Sequence, residues 1–328
     1  MSELYPLRFK PVYKDYLWGG DRIVRRFQRA LPPGIYAESW EIADHPDGMS
    51  IVENGPLAGR SLHDLVARFG ADLLGAGGAE PAFPLLVKII DARQRLSVQV
   101  HPDARSAGEQ GGDPKTEMWY VLEADPGAGV FAGFQPEVTP AKLQRALAER
   151  RVEDLLNFLP LSAGEAVYIP GGRVHTIDAG CLLLEIQQRS NTTYRLYDWD
   201  RVGPDGKRRP LHIERALKAI RWNDREPARV PAVEAERMGP NLRQPLIQSP
   251  FFSVERWTLT APWPVSREPA GFRILFLAAG RVTVEAESFR ESLVAGTTCL
   301  LPAARPSVTL RPETAEAEVL LVSRPRAT

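Results

Sequence analysis

The stretch Ser97–Gly129, SVQVHPDARSAGEQGGDPKTEMWYVLEADPGAG, contains two polar pairs at strand spacing. Gln99 and His101 alternate within an apolar run, and Lys115 and Glu117 alternate where the next apolar run begins. Because residues i and i+2 of a strand point to the same face, each pair projects from one side of a predicted sheet. Metal-capable groups placed inside apolar, β-branched runs indicate strands that line a polar interior.

The same strand pattern extends over most of the chain and predicts a mainly β fold. Short β-branched and aromatic segments, separated by Gly, Pro and Asp, occur at 83–92, 96–102, 117–124, 166–172, 181–188, 192–200, 251–259, 273–286, 296–304, 307–312 and 317–323. Helical periodicity predicts helices over 61–74, 139–159 and 211–222. Many short strands at regular spacing are typical of jelly-roll and sandwich domains.

Composition excludes several classes of partner. The 328 residues carry 41 basic and 41 acidic side chains, so the overall charge predicts neither a nucleic-acid nor a membrane partner. No run approaches the roughly 20 apolar residues of a membrane helix, and the N-terminus lacks an apolar segment of signal-peptide length. The cysteines Cys181 and Cys299 lie far apart in apolar sequence, which indicates buried free thiols. We therefore expect a cytoplasmic protein, with a monomer favoured.

An internal repeat predicts two barrels. The segment Gly164-EAVYI-Pro170-GGRV-His175 resembles the second motif of the cupin superfamily, and Gly296-TTCLL-Pro302-AARP-Ser307 repeats its frame with Ser307 where the first copy has His175. We expect two cupin-like jelly-roll barrels with a few helices packed on the first.

The predicted domain division follows from this repeat. Residues 1–240 form a catalytic metal-binding domain that includes accessory helices and a proline-studded linker at 223–248, and residues 241–328 form a second, metal-free cupin domain. The apolar strands of the second domain predict a packed interior with little room for polar ligands.

The histidines separate into candidate ligands and others. Gln99, His101, Glu117 and His175 would converge if their strands line one barrel, and imidazole and carboxylate groups suit a divalent ion of the zinc class. The remaining histidines are expected at a polar loop, on the exposed side of a helix and at a helix start; they are His45, His63 and His212.

Several ordered motifs resemble one known family. QVHP, KTEMWYVLEADPGA, YIPGGRVHTI and YRLYDWDR, together with the upstream YLWGG and ESWEIADHPDGMSIVENGP, resemble the type I mannose-6-phosphate isomerases in their short bacterial form. This resemblance implies one zinc ion per chain, held by His101, Glu117 and His175, with Gln99 ranked below them. It also implies Arg195 as the catalytic arginine and Lys115 as a lysine of the pocket.

The implied reaction is the interconversion of mannose 6-phosphate and fructose 6-phosphate. A proton moves between C1 and C2 through a cis-enediol, and a divalent ion stabilises the charge on the oxygens. Lys115, a metal-bound hydroxide and Asp198 are all candidates for the base. Arg195, Lys115, Lys88 and Arg201 are candidates for the phosphate.

Other interpretations of the site residues are also open. Without the resemblance, Arg195 is equally well a structural partner of Asp198 or Asp200. The functional alternatives are a metal-dependent cupin oxygenase and a non-catalytic sugar-binding cupin. All of these readings predict a small-molecule ligand, which for the isomerase is a sugar phosphate.

Overall fold

The computed structural model describes residues 3–75, 80–203, 205–266, 270–287, 289–304 and 307–325. The chain forms two compact units. We call Tyr13–Trp40 with Leu85–Val230 the first-barrel unit, and Met1–Val12 with Glu41–Pro84 and Pro231–Thr328 the second-barrel unit. No helix in the described residues combines the length and apolar character needed to cross a membrane.

The two units interleave along the chain, whereas the predicted division has a single boundary at 240/241. The N-terminal segment clusters with the C-terminal strands because Leu7 forms a β-bridge with Leu300. The division into a catalytic domain 1–240 and a metal-free domain 241–328 therefore stays a prediction, separate from this clustering.

The helices are short. They are α1 (Arg22–Phe27), α2 (Leu62–Phe69), α3 (Ala71–Leu74), α4 (Ala104–Gln110), α5 (Pro140–Ala148) and α6 (Ile213–Ala219), with a 3₁₀ turn at Val152–Leu155.

The strands up to residue 200 are β1 (Phe9–Lys10), β2 (Val12–Lys14), β3 (Glu38–Ile42), β4 (Asp44–His45), β5 (Gly48–Met49), β6 (Ile51–Val52), β7 (Leu85–Ala92), β8 (Val98–Val100), β9 (Glu117–Ala124), β10 (Gly129–Phe134), β11 (Leu156–Pro160), β12 (Ala166–Ile169), β13 (His175–Ile177), β14 (Cys181–Gln188) and β15 (Tyr194–Tyr197). The later strands are β16 (Glu236–Met238), β17 (Asn241–Gln248), β18 (Ser253–Leu259), β19 (Trp263–Pro264), β20 (Arg273–Ala279), β21 (Arg281–Ala286), β22 (Phe289–Val294), β23 (Thr298–Leu301), β24 (Thr309–Pro312) and β25 (Ala317–Ser323).

Several sequence-based expectations differ from these elements. The helix predicted over 61–74 is divided at Gly70 into α2 and α3, and β1 to β6, β10, β11, β13, β19 and β22 lie outside the predicted strands. The helix predicted over 139–159 ends after α5, because the chain turns at Arg150 with a positive φ of 59° and then enters β11. The predicted linker 223–248 contains β16 and β17, which join a sheet. Pro245 is accommodated there because the pairing with β18 shifts register between Pro245 and Ile247, and proline in a sheet is confined to such irregularities and to edges.

The first-barrel unit pairs a six-stranded sheet, β12-β9-β14-β7-β3-β2, with a five-stranded sheet, β11-β10-β13-β8-β15. Trp119, Val121 and Leu183 from the first sheet pack against Val130 and Ile177 from the second in one buried cluster. This packing leaves the inward-facing polar residues of both sheets directed into the same interior.

The second-barrel unit contains the six-stranded sheet β16-β17-β18-β25-β20-β23 and the four-stranded sheet β19-β24-β21-β22. Leu275, Leu277 and Val319 pack against Val284 and Leu310 in its core. The prediction of a packed interior is wrong at one end of this unit, where a cavity of about 1080 Å³ lies against the six-stranded sheet.

Candidate active site

The three candidate ligands ranked highest from the sequence come from both sheets of the first-barrel unit. His101 follows β8 directly and His175 begins β13, and these strands are neighbours in the five-stranded sheet. Glu117 begins β9 in the six-stranded sheet. The predicted set therefore converges between the two sheets, as the strand alternation required.

Short distances join the three side chains. His101 Nε2 lies 3.5 Å from Glu117 Oε2, and His175 Nε2 lies 3.4 Å from Glu117 Oε1. One possible ligand atom from each residue falls within 4.8 Å of the others, and all three side chains are buried. This is the spacing of groups that can share one cation.

Both imidazoles are oriented by main-chain carbonyl groups. His101 Nδ1 lies 2.9 Å from the carbonyl oxygen of Thr192, and His175 Nδ1 lies 2.9 Å from that of Arg173. A ring that donates its Nδ1–H to a carbonyl presents the Nε2 lone pair to the opposite side. Arg173 is itself 2% exposed and is held by a bidentate contact with Asp224, so the His175 partner is rigidly placed.

The carboxylate of Glu117 also suits a cation. Neither of its oxygens makes a well-aligned hydrogen bond within the described part of the chain, although Lys115 Nζ lies 2.7 Å from Oε2. Two neutral imidazoles and a buried carboxylate form a donor set typical of a catalytic divalent metal. The residues present therefore fit such an ion.

Gln99 adjoins this group. Its side-chain Nε2 is 3.3 Å from His175 Nε2, and its Oε1 accepts a hydrogen bond of 3.2 Å from Ser97 Oγ. Gln99 and His175 are also direct partners across β8 and β13. The amide is thus close enough to join the ligands, with its oxygen directed at Ser97.

Lys115 lies at the centre of the charged groups. Its Nζ is 3.2 Å from His101 Nε2 and 3.7 Å from Glu185 Oε1, in addition to the contact with Glu117. Lys88 continues the series, with Nζ 3.0 Å from Glu185 Oε1 and 3.5 Å from Glu38 Oε2. Lysine and glutamate side chains therefore alternate along a buried row of ion pairs.

Burial and these neighbours shift the ionisation of the cluster. Burial lowers the pKa of His101 to about 4, and the Lys115 charge adds to this; burial likewise lowers the pKa of His175. For Glu117, burial alone would raise the pKa, but the Lys115 charge outweighs it and holds the pKa well below its usual value. The imidazoles are therefore neutral and the carboxylate is charged at neutral pH.

A cavity of about 320 Å³ reaches the cluster through Gln99 and Lys115, which both line it. Lys88, Arg195 and Arg209 also line it, and with Glu38 and Glu185 counted the described walls carry a surplus of two positive charges. The volume falls within the range of small-molecule sites, roughly 300–1,000 Å³. An anionic small molecule fits this combination of size and charge.

Arg195 is not a partner of either predicted aspartate. Asp198 instead pairs with Arg201 and Arg209, and Asp200 pairs with Arg150 and Arg208. No carboxylate of the described residues lies within ion-pair distance of Arg195, which contacts Ser97 Oγ and the carbonyl of Pro210. Burial, aided by the Arg209 charge, lowers the pKa of Arg195.

Comparison with known proteins gives the family. The family model described as "Phosphomannose isomerase type I, catalytic domain" matches residues 6–127 of this chain. The mannose-6-phosphate isomerase of Streptococcus mutans is 36% identical over 286 residues, which cover 87% of this chain and 89% of that protein. The probable mannose-6-phosphate isomerase GmuF of Bacillus subtilis is 37% identical over 258 residues, 78% of this chain and 80% of that protein. The chain belongs to the type I phosphomannose isomerases.

A solved structure agrees with this assignment. The crystal structure of the mannose 6-phosphate isomerase from Bacillus subtilis matches with a TM-score of 0.89 at 29% identity, covering 97% of this chain and 99% of that chain. Family membership and the mainly β, cupin-type fold are thereby confirmed, and the oxygenase and the non-catalytic cupin are not favoured.

Within this phosphomannose isomerase fold, several site residues escaped the sequence analysis. Glu38, Glu185 and Arg209 were not predicted, and neither was the cavity wall formed by Trp18. A signal for Glu185 was present, since it interrupts the apolar run CLLLEIQQ and buried charges are almost always paired. Arg201, predicted as a phosphate candidate, lines a neighbouring cavity with Asp198 instead.

Proposed function

We propose that this chain interconverts mannose 6-phosphate and fructose 6-phosphate as a metal-dependent aldose–ketose isomerase. One observation carries the proposal: a buried His101–Glu117–His175 cluster adjoins a basic cavity of about 320 Å³. A hexose phosphate needs both features, a cation near its carbonyl and hydroxyl oxygens and positive charge for its phosphate. The two features lie in the same unit.

His101, Glu117 and His175 would hold one zinc-class ion per chain, with Gln99 as an additional neighbour. When bound, the ion supplies a Lewis acid that stabilises negative charge on the substrate oxygens. The chain prepares the ligands by burying them and by fixing both imidazole rings through carbonyl groups.

Lys115 is our candidate for the proton transfer between C1 and C2. It lines the cavity, and its Nζ is the cavity-lining amine in direct contact with both Glu117 and His101. Asp198, the other side chain considered for the base, does not line this cavity, and two guanidinium groups engage its carboxylate. Those contacts hold the pKa of Asp198 below its usual value, against the opposing effect of burial.

Arg195 is our first candidate for the anionic groups of the substrate, and Arg209, which also pairs with Asp198, is the second. Lys88 also lines the cavity, but Glu38 and Glu185 balance its charge. Arg195 has no such carboxylate within the described residues, so its charge remains directed at the cavity. A guanidinium there can bind a phosphate or an enediolate with two parallel hydrogen bonds.

A coupled assay that detects fructose 6-phosphate formed from mannose 6-phosphate tests the function. We expect turnover by the metal-loaded full chain and its loss in His175→Ala. His45→Ala is the matched control, since His45 lies in the second-barrel unit and its ring accepts from the main chain of Asp47. Absence of turnover in the loaded, folded wild-type protein would overturn the proposal.

The proton-transfer route has a separate test. In deuterated water, a proton moved by Lys115 exchanges with solvent, so we expect deuterium at C1 or C2 of the recovered sugars. Complete absence of deuterium at every extent of reaction, in an enzyme that turns over normally, would contradict transfer by Lys115.

A further inference from the structure

The two six-stranded sheets of the chain repeat one topology. Numbered by their order along the sequence, the strands of β12-β9-β14-β7-β3-β2 and of β23-β20-β25-β18-β17-β16 follow the same spatial order, 5-4-6-3-2-1. Each strand of the first sheet therefore has a counterpart in the second.

The repeat motif sets the register between these counterparts. Ile169, directly before Pro170, pairs with Glu117, and Leu301, directly before Pro302, pairs with Arg273. The glycines that open the two motifs, Gly164 and Gly296, have nearly equal φ angles of 88° and 84°. Arg273 thus takes the place in the second barrel that the carboxylate of Glu117 takes in the first.

The positions around Arg273 correspond as well. Ser323 pairs with Arg273 as Gln187 pairs with Glu117. One step along the ladder, Glu255 pairs with Leu321, where the first sheet has Lys88 opposite Glu185. Arg273 thus puts a guanidinium where the first sheet has the carboxylate of Glu117, and Glu255 puts a carboxylate where it has the ammonium of Lys88.

These residues line the cavity of about 1080 Å³ in the second-barrel unit. Arg273, Ser253, Ser323, Glu255 and Trp257 all face it from the six-stranded sheet. Three arginines and two glutamates are among its described lining residues, a surplus of one positive charge: Arg237, Arg243, Arg273, Glu236 and Glu255.

The polar groups at the inner end of the cavity are deeply placed. Arg273 is 4% exposed and donates to the carbonyl groups of Gly271 and Phe272. Ser323 is 8% exposed, and Ser253, its partner across the ladder, has a buried Oγ with no hydrogen-bond partner among the described residues. Buried hydroxyl groups nearly always have a partner, so the Ser253 hydroxyl is placed for one supplied from the cavity.

The side wall of the cavity is aromatic. Trp257 and Trp263 stack with ring centroids 4.0 Å apart, and Trp257 Nε1 donates to Glu255 Oε2. Indole edges beside a carboxylate and two hydroxyl groups suit a ligand that has both C–H surface and hydroxyl groups.

We propose that this cavity is a second binding site, for a sugar-sized organic anion that carries hydroxyl groups. Arg273 binds the anionic group, while Ser253, Ser323 and Glu255 bind hydroxyl groups of the ligand. A phosphate ester and a carboxylate present the same charged oxygens to the guanidinium, so sugar phosphates and sugar acids share this chemistry. The site does not depend on the proposed reaction in the first barrel.

Fluorine NMR of the full chain labelled with 5-fluorotryptophan separates the two cavities. Trp257 and Trp263 report on the second cavity, whereas Trp18 and Trp119 line the first. Trp→Phe variants assign the four resonances. We expect titration with glucose 6-phosphate or with glucuronate to shift the Trp257 and Trp263 resonances, and the ligand that binds more tightly identifies the preferred anion.

Arg273→Met should weaken this binding by roughly tenfold to a hundredfold, the scale for losing a hydrogen bond to a charged group. Arg290→Met is the control, because Arg290 lies on β22 of the same unit with 76% of its side chain exposed. Inorganic phosphate alone should bind at least about tenfold more weakly than glucose 6-phosphate, since it lacks the groups that meet Ser253 and Glu255.

Ser253→Ala covers the case in which Arg273→Met fails to fold. Its hydroxyl has no partner among the described residues, so its removal should leave the melting temperature unchanged and still weaken the ligand by roughly fivefold or more. Unshifted Trp257 and Trp263 resonances, or shifts that both variants leave unaltered, would overturn the proposal. Neither outcome bears on turnover of mannose 6-phosphate, which the coupled assay measures.

Discussion

At the scale of single residues, the site depends on where buried charges find partners. Lys88 is enclosed by Glu38 and Glu185, and Lys115 by Glu117, so each ammonium is balanced inside the unit. Arg195 differs, because its described contacts are a hydroxyl and a carbonyl. Its charge is the one best placed to act on a ligand.

Arg195→Lys should lower kcat by roughly two to three orders of magnitude, the scale for removing one donor to the transition state. The substitution keeps the charge and loses the planar two-pronged geometry. Metal content should be unchanged, since no proposed ligand is altered.

Arg208→Lys is the control for Arg195→Lys, because Arg208 is 61% exposed and pairs with Asp200. Steady-state kinetics and elemental analysis measure both variants. Near-normal turnover of Arg195→Lys would mean that Arg195 is a structural residue.

The neutral imidazoles predict how the metal-free protein responds to acid. Burial holds the pKa of His101 near 4 in the folded state, below the ordinary value of 6.5. Between these values the unfolded chain binds the extra proton, so stability is complete above about pH 6.5 and falls as the pH drops toward 4. His175 shifts in the same direction.

We expect the melting temperature of the chelated protein to decrease steadily from pH 7 to pH 4.5, and His101→Gln to flatten this slope. His63→Gln is the control, since the His63 side chain is 53% exposed. A slope that is equal in wild type and His101→Gln would show that His101 is not the group responsible.

At the scale of elements, β14 connects the charged groups of the first barrel. Glu185 lies on it between two apolar neighbours and accepts from Trp119 Nε1 at 2.8 Å, while its other oxygen faces Lys88. The burial pattern of β14 is almost continuous, and the strand lies in the interior of the sheet with β7 and β9 as its hydrogen-bonded neighbours. A charge in such a strand is stable only through its partners.

Glu185→Gln should therefore destabilise the protein by about 3–5 kcal/mol, the usual cost of breaking a buried ion pair from one side. The amide keeps an acceptor for Trp119 but leaves Lys88 with Glu38 as its remaining carboxylate contact. Glu123→Gln on β9 is the matched control, because that partly exposed carboxylate pairs with Arg26 and should contribute about 0–1 kcal/mol. Chemical denaturation measures both variants. Equal losses would contradict a special role for Glu185.

At the scale of the whole molecule, the two barrel units share a strand order but differ in the polar side chains of their interiors. The first barrel concentrates imidazole and carboxylate groups, and the second has Arg273 at the position that corresponds to Glu117, with Ser253 and Ser323 beside it. A metal ion should then stabilise the chain through the first barrel, since a ligand that binds the folded state raises its stability by mass action.

Zinc added to the chelated protein should raise its melting temperature by several degrees, with about one ion bound per chain at saturation. His175→Ala should abolish most of this shift and weaken zinc binding by at least roughly a hundredfold, since losing even an outer-shell partner costs ten- to a hundredfold, whereas His45→Ala should behave as wild type. Thermal denaturation and elemental analysis provide the readouts. A zinc-dependent shift retained in His175→Ala would place the ion elsewhere.

The sequence by itself determined which candidate site residues lie on the same face of a strand. Alternation put Gln99 with His101 and Lys115 with Glu117, and motif spacing added His175, because the period of a strand is a property of neighbouring residues. The same local pattern predicted the mainly β class and 12 of the 25 strands among the described residues. The end of the helix after Thr139 was placed too late, and the strands within 223–248 were missed. The positive φ of Arg150 and the register shift that accommodates Pro245 are features of the folded backbone that a local window of sequence does not contain.

Only the tertiary structure decided which charges meet and where space remains. Glu38, Lys88 and Glu185 come from three strands up to 147 positions apart, and their contact follows from the pairing of β3, β7 and β14. The choice of Arg209 over Arg201 for the first cavity, and the cavity at Arg273, likewise depend on how whole side chains fill the interior. Packing depends on contacts between residues that are far apart in the sequence, so a local pattern along the chain does not predict it.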